Sequence, residues 1–243
     1  KPGENTNRGT GIQVTNKLAT IRKLIGEDSK HTYIVQQYLC NPLLYHRRKF
    51  DIRTYVLVNR INNVLRAYWF QEGYLRTSSE VFTLDDLEDP FIHLTNDAIQ
   101  KNGEDYGRFE SGNKISYSEF QRYLDATLPK DKFQVADLVA AMKQIARQCI
   151  RATYFKMDPK CRHHNLEIFG LDFIVDRTFR PWLLEVNTNP CLELSSQLLG
   201  RLIPSMVENA LRIGLDPLFP PNQECPWVNK FYLSDNFLER NRF

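Results

Sequence analysis

The sequence predicts an α+β fold in which antiparallel-rich sheets are flanked by helices, and three observations carry that expectation. Two apolar runs, Phe169–Val175 and Trp182–Val186, are joined by the polar Asp176-Arg177-Thr178, the pattern of two short strands with a tight connection. A second pair, Thr54–Val58 and a return strand holding Tyr68-Trp69-Phe70, brackets a turn at Asn62-Asn63. Between these hairpins, Leu138, Met142, Ile145 and Cys149 recur at helical spacing and give a long helix one buried face.

Taken in order, Lys1–Ile12 is rich in glycine and small polar residues, which is loop chemistry. Gly3, Gly9 and Gly11 let the backbone turn its N–H groups toward an anion, while Lys1 and Arg8 add positive charge, as a phosphate-covering loop requires. The stretch fits neither the P-loop pattern nor G-x-G-x-x-G, so an ordinary hairpin loop stands as the alternative. Leu18–Ile25 has the spacing of a short helix, and His31–Leu39 reads as a strand stopped by Asn41-Pro42. Along the next strand Asp51, Arg53 and Tyr55 share one face and Ile52, Thr54 and Val56 the other. A solvated surface would account for such a charged row, but a positive row flanked by carboxylates also suits a polyphosphate bound with Mg²⁺.

Gly73–Glu80 is expected to run into a loop, with Arg76 as a candidate carboxylate clamp because its planar fork matches that group. Thr83–Asp89 is acidic, His93–Asn96 is a polar cluster, and Lys101–Asn113 reads as an irregular loop. Ser118–Leu124 is predicted as a short helix capped by Ser116 or Ser118, and Pro129-Lys130-Asp131 separates it from the long one. His163-His164 beside Cys161 is not favoured as a transition-metal site, since adjacent histidines point in different directions on any regular element. Ser195 or Ser196 caps a last helix through Leu198, Leu202 and Met206, which Pro204 should kink or divide and Gly214 should end. The proline-punctuated tail is expected to be a loosely packed extension.

The hairpin carries the sharpest chemical expectation. If it is centred between Thr178 and Phe179, Asp172 stands opposite Glu185, and alternation brings Asn187 to the side of Glu185. Two carboxylates beside an amide repel one another unless a cation sits between them, and Mg²⁺ is the hard ion that takes such a set. Polar positions on a solvated strand face are the other reading.

With 243 residues and 42% hydrophobic content the chain can bury a full core, enough for one large domain or two small ones. The net charge of +3 is mild and the basic residues are spread, so nothing demands a nucleic acid partner. Cys40, Cys149, Cys161, Cys191 and Cys225 form no Cys-x-x-Cys pair, which argues against a disulfide framework or a structural zinc and for a reducing, cytosolic setting. No apolar run approaches the ~20 residues of a membrane span, and no signal peptide is visible. Because the chain opens at Lys1 directly into a motif, it reads as a fragment.

RKFDIR (Arg48–Arg53), EGYLRTSSE (Glu72–Glu80), HLTND (His93–Asp97), GLDFIVD (Gly170–Asp176) and WLLEVNTNP (Trp182–Pro190), in that order, resemble the tubulin tyrosine ligase-like family, over nearly the whole chain to about Pro221. The resemblance implies an ATP-grasp fold, with residues 1–40 the remainder of a central subdomain, 41–221 a C-terminal subdomain with the Mg²⁺ and ATP site, and 222–243 a tail. It implies an ATP-dependent ligase: a carboxylate of the acidic C-terminal tail of tubulin is phosphorylated to an acyl phosphate, and the amine of a free amino acid displaces phosphate. Asp172, Glu185 and Asn187 match the family's Mg²⁺ ligands. Lys1 matches a phosphate lysine, Gln36, Gln37, Tyr38 and Leu39 the segment along the adenine edge, Lys49 and Asp51 further nucleotide contacts, and Thr95 with Asn96 the pair near the phosphates. Arg53 and Arg76 resemble the residues that hold the reacting carboxylate and the incoming amino acid. A general base is not evident, nor is a nucleophilic Ser or Cys.

The motifs around Arg76 and Thr95 look more like the tyrosine ligase than the glutamylases, and the first basic residue after Asn187 is Arg201, so tyrosine is expected first, glutamate second and glycine third. The resemblance places such a protein in the cytoplasm on the cytoskeleton, with cilium or basal body as the narrower expectation, away from membranes and nucleic acid. A microtubule-binding protein that kept the fold without the activity is the competing class.

Overall fold

One long strand, β2 (Arg48–Ile61), organises the molecule. Its β-branched and aromatic residues favour extended backbone, and Asn62 and Asn63, at φ 49° and 65°, make the two-residue turn into β3 (Val64–Phe70). The computed structural model describes residues 9–27, 32–129, 133–160, 163–222 and 227–236. Along one edge of β2, β4 (Tyr74–Val81) pairs with Arg48–Arg53 and β3 with Val56–Ile61. Along the other, β1 (Leu44–Tyr45) pairs at Arg48–Lys49 and β6 (Asn165–Val175) takes over from Ile52 to Arg60. β5 (Lys114–Ser116) extends the sheet beyond β4, β7 (Pro181–Asn187) beyond β6, and β8 (Phe231–Asn236) beyond β3, all antiparallel. The mixed helix and antiparallel sheet architecture expected from the sequence is the one observed.

The two faces of β2 have different covers. Phe50, Ile52, Val56 and Val58, with Leu75, Leu171 and Phe173, pack against α4 (Tyr117–Thr127) and α5 (Val135–Met157). On the opposite face Tyr55 and Leu57 lie under α6 (Gln197–Leu215), whose Leu199, Leu202, Ile203, Met206 and Ala210 form one apolar stripe. That cover reaches only the C-terminal half of β2. The N-terminal half of the same face carries Lys49, Asp51 and Arg53, and there the sheet presents charge instead of hydrocarbon.

Local chemistry sets the helix ends. Ser116 and Glu119 form a reciprocal capping box on α4, and the Ser196 hydroxyl accepts from Leu199 N at 3.2 Å to start α6. Of the two outcomes expected at Pro204, a kink or a division, division does not occur: α6 runs on through it, with one N–H bond forgone and Gly200, which has no side chain, four positions earlier. In α5 the core positions are Leu138, Met142, Ala146 and Ile150, with Ile145 and Cys149 only half-buried. A short helix, α1 (Leu18–Glu27), matches the one predicted near the start.

Three further expectations are corrected. The segment predicted as a strand from His31 to Leu39 forms no ladder over 34–39; Ile34 and Val35 are 53% and 65% exposed, so its alternation buries no face. Gly73–Glu80 is not a loop: it contributes most of β4, held between β2 and β5, and its polar side chains fill buried positions. The tail is not loose over its described part. Phe231 is buried against Phe70, with ring centroids 5.0 Å apart, and Lys230 Nζ donates to Glu72 at 2.8 Å.

The β6–β7 hairpin is latched at its turn. One oxygen of Asp176 accepts from Thr178 N (2.8 Å), Thr178 Oγ1 (2.6 Å) and Arg180 N (3.1 Å), and the other from Trp182 Nε1 (2.9 Å). Replacing the carboxylate leaves these donors without their acceptor, so Asp176→Ala is expected to lower the unfolding free energy by about 1–3 kcal/mol in urea titrations.

Candidate functional site

The charged half of β2 sits in two rows that cross the sheet. In the first, Lys114 of β5, Arg76 of β4 and Asp51 of β2 are successive cross-strand partners; in the second, Tyr74 of β4, Arg53 of β2, Asp172 of β6 and Glu185 of β7 are. The register converts distant stretches of sequence into adjacent side chains on one face.

Arg53, Arg76, Asp51 and Asp172 close into a single buried network. Arg76 Nε donates to Asp51 Oδ1 at 2.8 Å, and its Nη2 bridges Asp51 Oδ2 and Asp172 Oδ2, the latter at 2.7 Å. Arg53 Nε donates to Asp172 Oδ1, and Arg53 Nη2 to Asp172 Oδ2 at 3.0 Å. Two guanidinium groups and two carboxylates cancel in charge. Such a cluster is an expensive way to hold a sheet together, because desolvating four ions offsets most of their mutual attraction. Its burial points to use.

Gly170 makes the arrangement possible. It lies two residues before Asp172 on the same face, and a Cβ there would stand 2.8 Å from Pro190 Cβ and 3.3 Å from Arg53 Nη1. The guanidinium of Arg53 therefore lies in space that only glycine leaves open.

Glu185 reaches this face through a β-bulge. The register pairs Phe173 with Leu183 but Asp172 with Glu185, so Leu184 is an extra residue on β7. Residues two apart on a strand ordinarily share a face. Here Leu183 packs toward the apolar core and Glu185 toward Asp172. The predicted centre between Thr178 and Phe179 describes the pairs from Asp172 outward; nearer the turn, where Val175 pairs with Pro181, the centre falls on Thr178. The bulge absorbs the difference.

Beyond Glu185, Asn187 stands opposite Gly170, and its Nδ2 points to Gly170 O and Glu185 Oε1, both at 3.4 Å. Asn187 Oδ1 then remains an acceptor. Three N–H groups occupy the carboxylate of Asp172, which has about four lone-pair positions, so one on Oδ1 is unspent. An all-oxygen set of Glu185, Asn187 and that last position on Asp172 fits a hard divalent cation. The expected need for a metal between Asp172 and Glu185 is modified in one respect: Arg53 and Arg76 already neutralise Asp172.

The remaining predicted residues gather along the neighbouring flank. Lys49, two positions before Asp51 on β2, donates to Tyr38 Oη (3.1 Å) and to the carbonyl of His93 (2.8 Å). Burial pushes its ammonium down to about 8, against the pull of Asp51. Tyr38 and His93 Nδ1 are 2.7 Å apart, and His93 Nε2 lies 2.8 Å from Asp86 O, so Nε2 carries the proton and Nδ1 accepts from the Tyr38 hydroxyl. Thr95 is buried between α2 (Pro90–His93) and α3 (Asp97–Gln100). Asn96 meets the glycine loop: Gly9, buried with φ 83°, leaves no room for a Cβ, which would stand 2.9 Å from Asn96 Oδ1. Gln36 and Gln37 are exposed and Leu39 half-buried. Lys1, Gly3 and Arg8 lie outside the described residues.

Sequence reading missed several residues that hold this site in place. Gln100 accepts from Ser79 N (2.8 Å) and donates to Phe91 O and Leu94 O, tying the turn that holds Thr95 and Asn96 to β4. Arg48 pairs with Glu110, and Asn113 donates to Thr77 O and Ser79 Oγ, both at 3.1 Å. Lys114, cross-strand neighbour of Arg76, forms an ion pair with Asp97. A three-residue strand is too short for alternation to reveal, and no pattern in the apparent loop before it marks these partners.

Burial raises the carboxyl of Asp172, but Arg76 and Arg53 outweigh it and hold the group at about 2, below the ordinary 3.8. A carboxyl depressed in the folded state contributes stability that is complete above its unfolded value and lost as pH falls through the folded one. The unfolding free energy is thus expected to drop on the order of 2 kcal/mol between pH 3.8 and about 2 from this group, and Asp172→Asn should flatten that part of the acid titration.

Comparison with known proteins places the chain in a family. The model of the "Tubulin-tyrosine ligase family" matches residues 1–224. The chain is similar to the probable tubulin polyglutamylase TTLL2 of Mus musculus, 36% identical over 219 residues that cover 88% of this chain and 38% of the relative. It is also similar to tubulin glycylase 3B of Tetrahymena thermophila, 30% identical over 210 residues covering 86% of the chain and 17% of the relative. Tubulin glycylase 3A of Drosophila melanogaster is 32% identical over 222 residues, 89% of the chain and 22% of the relative. The chain thus spans well under half the length of these relatives. With its motifs aligned on one charged sheet face and the family model spanning all but its tail, the chain belongs to the tubulin-tyrosine ligase family.

Proposed function

We propose that this chain carries the ATP- and Mg²⁺-dependent centre of an ATP-grasp amino-acid ligase that adds glutamate or glycine to the acidic C-terminal tail of tubulin. The buried ring of Arg53, Arg76, Asp51 and Asp172, bordered by Glu185 and Asn187, is the observation that carries the reading. Activating a carboxylate with a nucleotide sets anion against anion. Only a site with fixed cations in a low-dielectric setting brings the two together.

In this reading Lys49 and the Asn96 turn hold the nucleotide phosphates, with backbone N–H groups of the loop at Gly9 beside Asn96, and Gln36 to Leu39 follow the base. Arg53 and Arg76 receive the acceptor carboxylate and the incoming amino acid, their guanidinium planes already fixed by Asp51 and Asp172, so little ordering remains when these bind. Glu185, Asn187 and Asp172 would hold Mg²⁺, which when bound supplies the positive charge that offsets the phosphate oxygens. The acyl phosphate forms on the substrate, and the amine of the amino acid attacks its carbonyl carbon and expels phosphate. Tyrosine, which the short motifs around Arg76 put first, gives way here to glutamate and glycine, because the curated relatives are named as a polyglutamylase and glycylases.

Incubation of the full-length protein with ATP, Mg²⁺, tubulin and labelled glutamate, glycine or tyrosine in separate reactions is expected to label tubulin with glutamate or glycine. Glu185→Gln should reduce that labelling on the order of 100-fold or more and weaken Mg²⁺-dependent nucleotide binding measured by calorimetry. Full labelling by the variant at ordinary magnesium removes Glu185 from the centre. A protein that binds microtubules but neither ATP nor amino acid supports the competing binding-module reading.

A further inference from the structure

The first row of the site ends in a cation that the proposed chemistry leaves unused. Lys114 is 6% exposed, and its ammonium donates to Asp97 Oδ1 at 2.5 Å and to Gly112 O at 2.7 Å. An ammonium has three N–H donors, and among the described residues the third meets no acceptor. Arg76, directly opposite on β4, is in the same condition. Its Nε and Nη2 are spent on Asp51 and Asp172, while Nη1 has no hydrogen bond among the described residues.

Directly paired side chains on adjacent strands lie about 5 Å apart at Cβ, so the open N–H groups of Lys114 and Arg76 can address one small anion between them. Lys114 also lines a cleft of about 790 Å³ with Arg48, Ser79, Glu110, Glu119 and Gln197, on the side of Arg76 away from Asp172 and Glu185. The cleft carries both signs of charge. That mixture suits a zwitterion better than a polyphosphate, and Arg48 is already committed to Glu110.

Resting on the ligase reading, we propose that Lys114, with Arg76 across the β4–β5 ladder, binds the carboxylate of the free amino acid and so presents its amine to the acyl phosphate. Asp97 keeps the lysine charged in its buried position and is itself fixed by Tyr106, whose hydroxyl donates to Asp97 Oδ1 at 2.8 Å. The two rows then divide the labour. Asp172 and Glu185 of the second face phosphate, Lys114 at the end of the first faces the incoming amino acid, and Arg76, bonded to Asp172, stands between.

The test compares two amines in the full-length protein. Hydroxylamine attacks an acyl phosphate as an amino acid does, giving a hydroxamate and free phosphate, but it has no carboxylate. In Lys114→Met the KM for the amino acid is expected to rise at least about 10-fold, while the rate of hydroxamate formation and the Kd for ATP stay at wild-type values. Lys114→Arg, which retains the charge beside Asp97, guards against loss of the fold and is expected to raise the KM by a smaller factor with the same selectivity for the amino acid arm. An unchanged amino-acid KM in both variants overturns the proposal, as does an equal loss in both arms or a parallel loss of ATP affinity, which assigns Lys114 to scaffold or nucleotide. Absence of hydroxamate from the wild-type protein defeats the ligase reading instead.

Discussion

Four ions in the middle of a sheet, Arg53, Arg76, Asp51 and Asp172, constrain nearly everything else about this molecule. Removing any one leaves a buried charge without its counterpart, at a cost of about 3–5 kcal/mol. Their neighbours are accordingly chosen to make room or to fix register. Gly170 admits the Arg53 guanidinium, Asp176 holds the turn that aligns β7, and α6 stops short of the charged half of β2. The apolar core on the opposite face, from Phe50 to Phe173 against α4 and α5, supplies the burial that tolerates this arrangement.

The same design explains which way each face of β2 is used. A strand alternates its side chains, so Ile52 and Thr54 are committed to the helix layer while Asp51 and Arg53 are committed to the site. Alternation was readable in RKFDIRTYVLV without coordinates, and so were the Asn62-Asn63 turn, the Ser116 cap and the opposition of Asp172 to Glu185. Each is a local rule acting over a few residues.

What could not be read has a common cause. β4 looks like a loop in sequence because its buried polar side chains find their partners on other segments, Arg76 at Asp51, Thr77 at Arg48 and Ser79 at Asn113, and buried polarity of that kind leaves no hydrophobic period. Lys114 and Gln100 take their meaning from Arg76 and Ser79, which lie more than twenty positions earlier in the chain and become neighbours only through pairing. The stretch before Leu39 errs the other way. It has the composition of a strand, yet composition without a partner ladder along its length does not define one.

The extra residue at Leu184 has a wider implication for how this hairpin tolerates change. Because the half-step of phase is taken up inside β7, the loop from Asp176 to Arg180 and the acid at Glu185 are set by separate devices. Variation at the tip can alter how the hairpin folds over while the carboxylate keeps its address, and even deleting the extra aliphatic residue would leave Glu185 next to Leu183 in plain alternation, still opposite Asp172.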